Sequence, residues 1–245
     1  MCRFLCYAGR EILLSELLYQ PENSLIKQSY HARERKEPLN GDGFGVGWYV
    51  PEISSTPCPF TSVTPAWSNI NLKNIAEHVR SRLFFAHVRA ATPSMPVSEA
   101  NCHPFSHGRY LWMHNGHISG FQRMKRKLQQ LLPEPLYLQI AGTTDSEHAF
   151  ALFLSLLADP EEEISAHRLG QSLARTVLCL ERMRREARVE EPSFCNFAVT
   201  DGRAMAAIRY VSDPLLEPIS LYFSAGLKYS CSDGICRLVE APRAQ

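Results

Sequence analysis

Cys2 is the first residue of this chain whose type and position could do chemistry. If the initiator methionine is removed, its thiol and a free α-amine belong to one residue. The reference pKa values are about 7.7–8.0 for the amine and about 8.5 for the thiol, so the amine can serve as general base for the sulfur. The thiolate can then attack an amide carbonyl, and the amine can return the proton to the leaving nitrogen. On position alone, an ordinary buried cysteine is the more frequent case.

A second candidate is the dipeptide Asn115-Gly116, which follows an apolar stretch. A side-chain amide and a glycine N–H suit the oxyanion of a tetrahedral intermediate, because glycine lets a substrate approach closely. Asn-Gly is also a strong turn dipeptide, so taken alone it favours a simple turn.

Arg89 and Asp145 could bind the far end of a glutamyl group, which carries an α-carboxylate and an α-ammonium. Arginine binds a carboxylate through two parallel hydrogen bonds, and aspartate attracts the ammonium. Each has a structural alternative of at least equal weight. Arg89 could be a surface charge or part of an ion pair, and Asp145 could be favoured by the dipole of a helix start.

The elements that must position these groups alternate between strands and helices. Strands are predicted over 2–8, 83–88, 110–113, 194–200, 203–211 and 219–225, and helices over 71–82, 121–132, 145–157 and 165–186, with one or two short helices in 11–30. Residues 51–66, with four prolines, predict a loop. This order predicts an α+β fold with a sheet core flanked by helices.

Three local patterns refine this prediction. Glycine occupies alternate positions between Gly41 and Gly47, which predicts that another backbone or a ligand approaches that strand face closely. Asp201-Gly202 lies between two alternating stretches and predicts a β-hairpin. Thr144, three residues before Glu147, predicts a capped helix start.

Composition sets the outer limits of the interpretation. The 245 residues suit one domain over 1–245, and a net charge of +1 gives no reason to expect nucleic acid or an anionic membrane as partner. The N-terminus lacks a long apolar signal segment, so we expect a cytoplasmic protein with its eight cysteines reduced. His103/His107 and His114/His117 have ligand-like spacing, but a metal site is the less favoured interpretation, and no cofactor is expected.

Taken together and in order, the motifs resemble the class II (N-terminal-nucleophile) glutamine amidotransferase family. They are Met-Cys at the start, Asn-Gly-Asp-Gly-Phe-Gly-Val-Gly-Trp-Tyr at 40–49, Ala-His-Val-Arg-Ala-Ala-Thr at 86–92, Asn-Cys-His-Pro-Phe at 101–105, His-Asn-Gly at 114–116 and Thr-Asp-Ser-Glu at 144–147. Within the family, the sequence looks most like the small stand-alone branch that includes the ergothioneine-pathway γ-glutamyl amidohydrolase and the amidotransferase-like subunit of glutathione-degrading complexes. The motifs cover roughly residues 2–160.

The resemblance implies a four-layer αββα sandwich and a role for each matching position. Cys2 would be the nucleophile, with Asn115 and Gly116 as the oxyanion hole. The substrate α-carboxylate would be held by Arg89 and the α-ammonium by Asp145, and Thr92 and His114 would also line the substrate site. Family members need no metal.

Two departures from the family pattern bear on specificity and on the C-terminus. Many glutamine-dependent synthases of the family continue after the threonine with His-Gly, whereas here Pro93 follows Thr92. The end of the chain after residue 225 is atypical, because related stand-alone members usually continue with a further strand that contains a Ser-Glu-Pro-Leu-like stretch.

The resulting functional hypothesis is cleavage of the γ-glutamyl amide of glutamine or of a glutathione-like conjugate, through a γ-glutamyl thioester that releases glutamate. Two alternatives stay open. The chain could be a glutaminase subunit that supplies ammonia to a partner protein, or a catalytically silent binding subunit with the same fold.

Overall fold

The computed structural model describes residues 2–32, 39–91, 96–157, 159, 163–224, 227–232 and 235–240. Its strands are β1 (Arg3–Leu13), β2 (Phe44–Val50), β3 (Ser54–Ser62), β4 (Arg80–Val88), β5 (Phe105–His107), β6 (Tyr110–His117), β7 (Phe194–Thr200), β8 (Met205–Val211), β9 (Leu227–Ser232) and β10 (Ile235–Glu240). Its helices are α1 (Ser15–Leu18), α2 (Leu25–Tyr30), α3 (Ile70–His78), α4 (Phe121–Leu131), α5 (Glu134–Leu138), α6 (Asp145–Ser155) and α7 (Ala166–Glu186).

Two antiparallel four-stranded sheets form the centre of the molecule. The first has the strand order β1-β4-β2-β3 and the second has the order β5-β6-β7-β8, while β9 and β10 pair with each other. The outer face of the first sheet packs on α1, α2 and α3, and that of the second sheet packs on α4, α6 and α7. The inner faces pack on each other, which confirms the expected αββα sandwich.

Side-chain alternation along the strands produces these layers. In β4, Phe84 and Ala86 face the helices, while Leu83 and Phe85 face the second sheet. In β6, Met113 belongs to the layer between the sheets and Trp112 to the core beneath the helices. Positions of one parity on each strand therefore converge in the gap between the two sheets.

The alternating glycines allow this gap to be narrow at one place. A Cβ atom on Gly45 would collide with the carbonyl oxygen of His103, and one on Gly47 would lie 2.9 Å from a methyl carbon of Leu111. The prediction of a close backbone approach is confirmed, and the approaching segment is the one that contains His103.

The region expected to be a loop, 51–66, contains strand β3, so that prediction was wrong. Among the described strands it pairs with β2 alone, and Pro59 lies opposite Gly47. Proline has no backbone N–H to donate, and an edge strand tolerates this because only one of its two sides is paired. The C-terminal part of the helix predicted over 71–82 was also wrong, because α3 ends at His78 and β4 begins at Arg80.

The strand predicted over 219–225 does not occur in its described part, which has no regular secondary structure from 219 to 224; Ala225 lies outside the described residues. The backbone carbonyl groups of this segment accept hydrogen bonds from side chains instead of from a neighbouring strand. Asn196 Nδ2 donates to the carbonyl oxygens of Ile219 and Ser220, and Arg209 Nε donates to that of Ile219.

Two strands also extend beyond their predicted ends: β1 passes Gly9 and reaches Leu13, and β6 continues through the His-Asn-Gly motif to His117. Within the described residues, none of the helices has both the length and the apolar composition needed to cross a bilayer.

Candidate active site

Cys2 lies directly before β1, at the end of the gap between the sheets. The pairing of Arg3 with Val88 brings it alongside the residues that follow β4, and its Sγ lies 3.6 Å from the carbonyl oxygen of Ala90. Phe4 and Cys6 pack in the layer between the sheets, and Cys2 has the same parity. The thiol is thus presented to the inner face of the sandwich.

Two side-chain charges of opposite sign act on this thiol. Burial raises the pKa of Cys2, Arg89 opposes that rise, and Asp145 adds to it. Both charged groups therefore lie near the sulfur, although they belong to segments more than fifty residues apart in the sequence. Because the raised pKa keeps the thiol protonated at neutral pH, the sulfur needs an adjacent base to become a nucleophile.

Arg89 follows the last residue of β4 and is almost fully buried. Its Nη1 donates to the carbonyl oxygen of Asp42 and its Nη2 to that of Pro96, each over 3.3 Å. Asp42 also fixes the chain after Arg89, because its Oδ2 accepts from the N–H of Ala91 at 2.8 Å. Since both acceptors of the guanidinium are neutral carbonyls, its positive charge remains available to an anionic ligand.

Asp145 is the first residue of α6, next to the end of β6. Its Oδ1 accepts from the N–H of Ser146 at 2.8 Å and its Oδ2 from the N–H of Ile118 at 2.7 Å. These backbone donors and the helix N-terminus stabilise a carboxylate in a buried position. The expected helix start is confirmed: Thr144 Oγ1 accepts from the N–H of Glu147, the first half of a capping box.

Asn115 and Gly116 lie within β6, so the simple turn interpretation does not apply. Asn115 pairs with Asn196 of β7 and, by its parity with Met113, faces the gap between the sheets. Its Oδ1 is buried without a hydrogen-bond partner. A Cβ atom on Gly116 would collide with the carbonyl oxygen of Phe194, and the residue has a φ of 151°, so both space and conformation require glycine.

His114 has its imidazole on the opposite face of β6. Its Nδ1 lies 2.8 Å from Ser146 Oγ and its Nε2 lies 3.2 Å from the carbonyl oxygen of Phe194. Burial lowers the pKa of His114, and Asp145 opposes that change. The structure therefore does not bring the His114 ring together with Cys2 in the gap; the ring instead supports the start of α6.

Two further predictions concern Thr92 and the histidines with metal-ligand spacing. Thr92, predicted to bind substrate, lies outside the described residues, as do Pro93 and Met1. Within the described part of the chain, no group of three or more His, Cys, Asp or Glu side chains is arranged to hold a metal. The ring of His103 stacks on His87 with a centroid distance of 4.2 Å.

Three residues that support the site were not predicted from the sequence. Asp42 binds the segment around Arg89, Asn101 binds the loop before Asp145, and Asn196 lies directly opposite Asn115. Two of them lie inside motifs that the resemblance already included, which was the available signal. The third gave none, because its partners are backbone carbonyls from a distant segment.

Comparisons with known proteins agree with this fold. A family model described as class II glutamine amidotransferases matches residues 19–217. The chain is 42% identical to the probable glutamine amidotransferase DUG3 of Saccharomyces cerevisiae, over an alignment of 264 positions that covers 100% of this chain and 74% of that protein. It is 37% identical over 117 residues to the gamma-glutamyl-hercynylcysteine sulfoxide hydrolase of Mycobacterium tuberculosis, which covers 47% of this chain and about half (49%) of the hydrolase.

Solved structures show the same fold. A glutamine aminotransferase class-II domain protein from Silicibacter pomeroyi superimposes with a TM-score of 0.63 at 27% identity, covering 95% of this chain and 84% of that one. An allosteric regulatory enzyme of purine biosynthesis superimposes with a TM-score of 0.51 at 13% identity over 82% of this chain and 35% of that one, a likeness of fold alone.

Proposed function

The chain belongs to the class II glutamine amidotransferases, and we propose that it hydrolyses a γ-glutamyl amide with Cys2 as nucleophile. The observation that carries the proposal is that a buried arginine and a buried aspartate both lie close enough to the Cys2 thiol to act on its pKa. A glutamyl group has a carboxylate for the first and an ammonium for the second. The proposal assigns the glutamyl α-carboxylate to Arg89 and the α-ammonium to Asp145.

The first half of the reaction forms a thioester. The α-amine of mature Cys2 takes the thiol proton, and the sulfur attacks the γ-carbonyl carbon. The oxyanion accepts hydrogen bonds from the Asn115 amide and the Gly116 N–H. When the C–N bond breaks, the leaving nitrogen takes the proton from the Cys2 ammonium and departs as a neutral amine.

The second half returns the enzyme to its starting state. A water molecule, deprotonated by the same α-amine, attacks the thioester carbonyl, and the C–S bond breaks to release glutamate and the thiol. This cycle needs a free amine on Cys2, because the raised pKa of the buried thiol leaves little thiolate without a base. Removal of Met1 is therefore a condition of activity in this proposal.

The leaving amine distinguishes the possible substrates. One relative is named as a hydrolase of a γ-glutamyl conjugate and another as a probable glutamine amidotransferase. We favour hydrolysis of a conjugate such as a glutathione-like peptide, because the relative with an assigned substrate is named as a hydrolase of a γ-glutamyl conjugate. Release of ammonia to a partner protein is the second candidate, and the name of the relative that aligns with the whole chain favours it.

A panel of γ-glutamyl amides tests the proposal. Purified protein is incubated with glutamine, glutathione and other γ-glutamyl conjugates, and glutamate release is measured with Cys2→Ala as the blank. We expect release from at least one member that the blank lacks. Absence of release from every member, with Met1 shown by mass spectrometry to be removed, would contradict the proposal and favour a silent binding subunit.

A further inference from the structure

Asn101 connects the two charged groups that the proposed function assigns to the ends of the glutamyl group. We infer that Asn101 is a positioning residue for substrate selection: it sets the spacing between Arg89 and Asp145 and thereby the preference for a ligand with both an α-carboxylate and an α-ammonium. The inference rests on the proposed function for the roles of those two residues.

On one side, Asn101 shares an acceptor with the arginine. Asn101 Nδ2 donates to the carbonyl oxygen of Pro96 at 3.0 Å, and Arg89 Nη2 donates to the same oxygen at 3.3 Å. The oxygen of Pro96 therefore holds the arginine side chain and the asparagine amide next to each other. A shift of this carbonyl would move the guanidinium directly.

On the other side, Asn101 binds the residue two positions before Asp145. Its Oδ1 accepts from the N–H of Thr143 at 2.9 Å, and its Nδ2 also lies 3.3 Å from Thr143 Oγ1. The next residue, Thr144, is the N-cap of α6, whose first residue is Asp145. A Cβ atom on Gly142 would collide with Asn101 Oδ1, so glycine at 142 is what lets the amide reach this loop.

The amide is buried and both its ends are used. Asn101 is 1% exposed, its oxygen accepts one hydrogen bond and its nitrogen serves two acceptors. Alanine at this position would leave the Pro96 carbonyl and the Thr143 N–H without this partner. The loop has a second anchor, because Glu147 accepts from the N–H groups of Ala141 and Gly142, so we expect Asn101→Ala to fold.

The test measures binding and is separate from turnover. Calorimetry compares the affinities for L-glutamate and for glutarate, which lacks the α-ammonium. We expect wild-type protein to prefer L-glutamate, and Asn101→Ala to lose about tenfold or more of that preference, since a small displacement of positioned groups has large effects on recognition. A wild-type protein without the preference would overturn the inference.

A matched control separates positioning from general destabilisation. Asn69 is also an asparagine that binds a backbone N–H, that of Leu72, and a threonine hydroxyl, that of Thr64, but it is only half-buried and caps α3 instead of α6. Asn69→Ala should lower the melting temperature and leave the glutamate-to-glutarate ratio unchanged. An equal fall of the ratio in both variants would overturn the inference.

Two milder variants give a graded series and remain informative if Asn101→Ala does not fold. Asn101→Asp retains an acceptor for the Thr143 N–H and loses both donated bonds, and Thr143→Val removes only the exposed hydroxyl. We expect the loss of the glutamate-over-glutarate preference to be smallest in Thr143→Val, larger in Asn101→Asp and largest in Asn101→Ala. A wild-type preference in Asn101→Asp would refute the inference, whereas absence of glutamate release by wild-type protein would refute only the proposed hydrolysis.

Discussion

The two ends of the candidate site are held in different ways. The reacting end, defined as Cys2, Asn115 and Gly116, is set by strand pairing: Arg3 pairs with Val88, and Asn115 and Gly116 pair with Asn196 and Cys195. The glutamyl end, defined as Arg89 and Asp145, is set by side chain–backbone hydrogen bonds between loops and a helix start. Ladders fix backbone positions closely, whereas loop contacts depend on a few individual side chains.

This difference suggests a division of labour. Changes at the reacting end should alter the chemical step and leave recognition intact, because the strands that position it do not depend on the altered side chain. Changes at the glutamyl end should alter recognition, since each hydrogen bond there also sets the position of a charge.

Cys2→Ala is expected to have the largest effect. Turnover should fall on the order of 10⁴-fold or more, as expected when a nucleophile is removed. The melting temperature should change little, because the thiol makes only a weak hydrogen bond to the carbonyl of Ala90. The exposed Cys58 of β3 provides the control, and Cys58→Ala should keep full activity. Hydrolysis at the wild-type rate in Cys2→Ala would refute the nucleophile assignment.

Asn115→Ala should lower kcat about 10²–10³-fold with a much smaller change in KM, because an oxyanion donor acts mainly in the transition state. Steady-state kinetics on the best substrate of the panel measures the two constants. Asn74→Ala, on the exposed face of α3, is the control and should behave as wild type. A rise in KM at unchanged kcat would show that Asn115 acts in binding the glutamyl group, and it would contradict the separation of chemistry and recognition between the two ends.

Asp145→Asn should affect recognition rather than chemistry. The amide keeps an oxygen for a backbone N–H but loses the charge that attracts an α-ammonium, so we expect KM to rise about tenfold to a hundredfold, equivalent to about 1.4–2.8 kcal/mol. The preference for glutamine over its analogue without the α-amine should fall by a similar factor. Unchanged kinetics on γ-glutamyl substrates would remove Asp145 from the ligand-binding role.

The same division explains how much the sequence predicted. The α+β class, the helix start at Thr144 and the hairpin at Asp201-Gly202 follow from local signals, and they are present in the structure. The four-layer αββα arrangement was implied by the motif resemblance alone. The motif resemblance supplied the candidate site residues, because each belongs to a short contiguous pattern. Asn115 and Gly116 taken alone predicted a turn, and only pairing with β7 shows why they lie in a strand.

What the sequence did not predict depends on long-range contacts. The prolines of the edge strand β3 are typical of a loop. The segment is a strand because it pairs with β2, and that pairing is not visible in its own sequence. The segment 219–224 has the composition of a strand, yet Asn196 and Arg209 occupy its carbonyl groups. The face of the sheet on which the His114 side chain lies depends on whether β6 continues past it. The turn signal of the next two residues had predicted that the strand ends there.

Mild acid should weaken the fold beneath the reacting end. Burial lowers the pKa of His87 to about 3 and that of His103 well below its usual range, and the nearby Arg89 and His114 add to both shifts. The unfolded chain takes up protons on these residues below about pH 6.5, while the folded chain does not. The contribution of these two histidines to the free energy of unfolding is therefore fully present above that pH, and it is lost as the pH drops towards 3.

At pH 5 each of these imidazoles should cost about 2 kcal/mol of the free energy of unfolding relative to pH 7.5. Denaturant unfolding at the two pH values measures the difference. His103→Phe removes one titrating ring while keeping an aromatic stack on His87, so it should reduce the pH dependence, whereas His78→Gln on the exposed end of α3 should not. An unchanged pH dependence in His103→Phe would show that acid sensitivity arises elsewhere, and the reacting end would then owe its stability to the strand ladders alone.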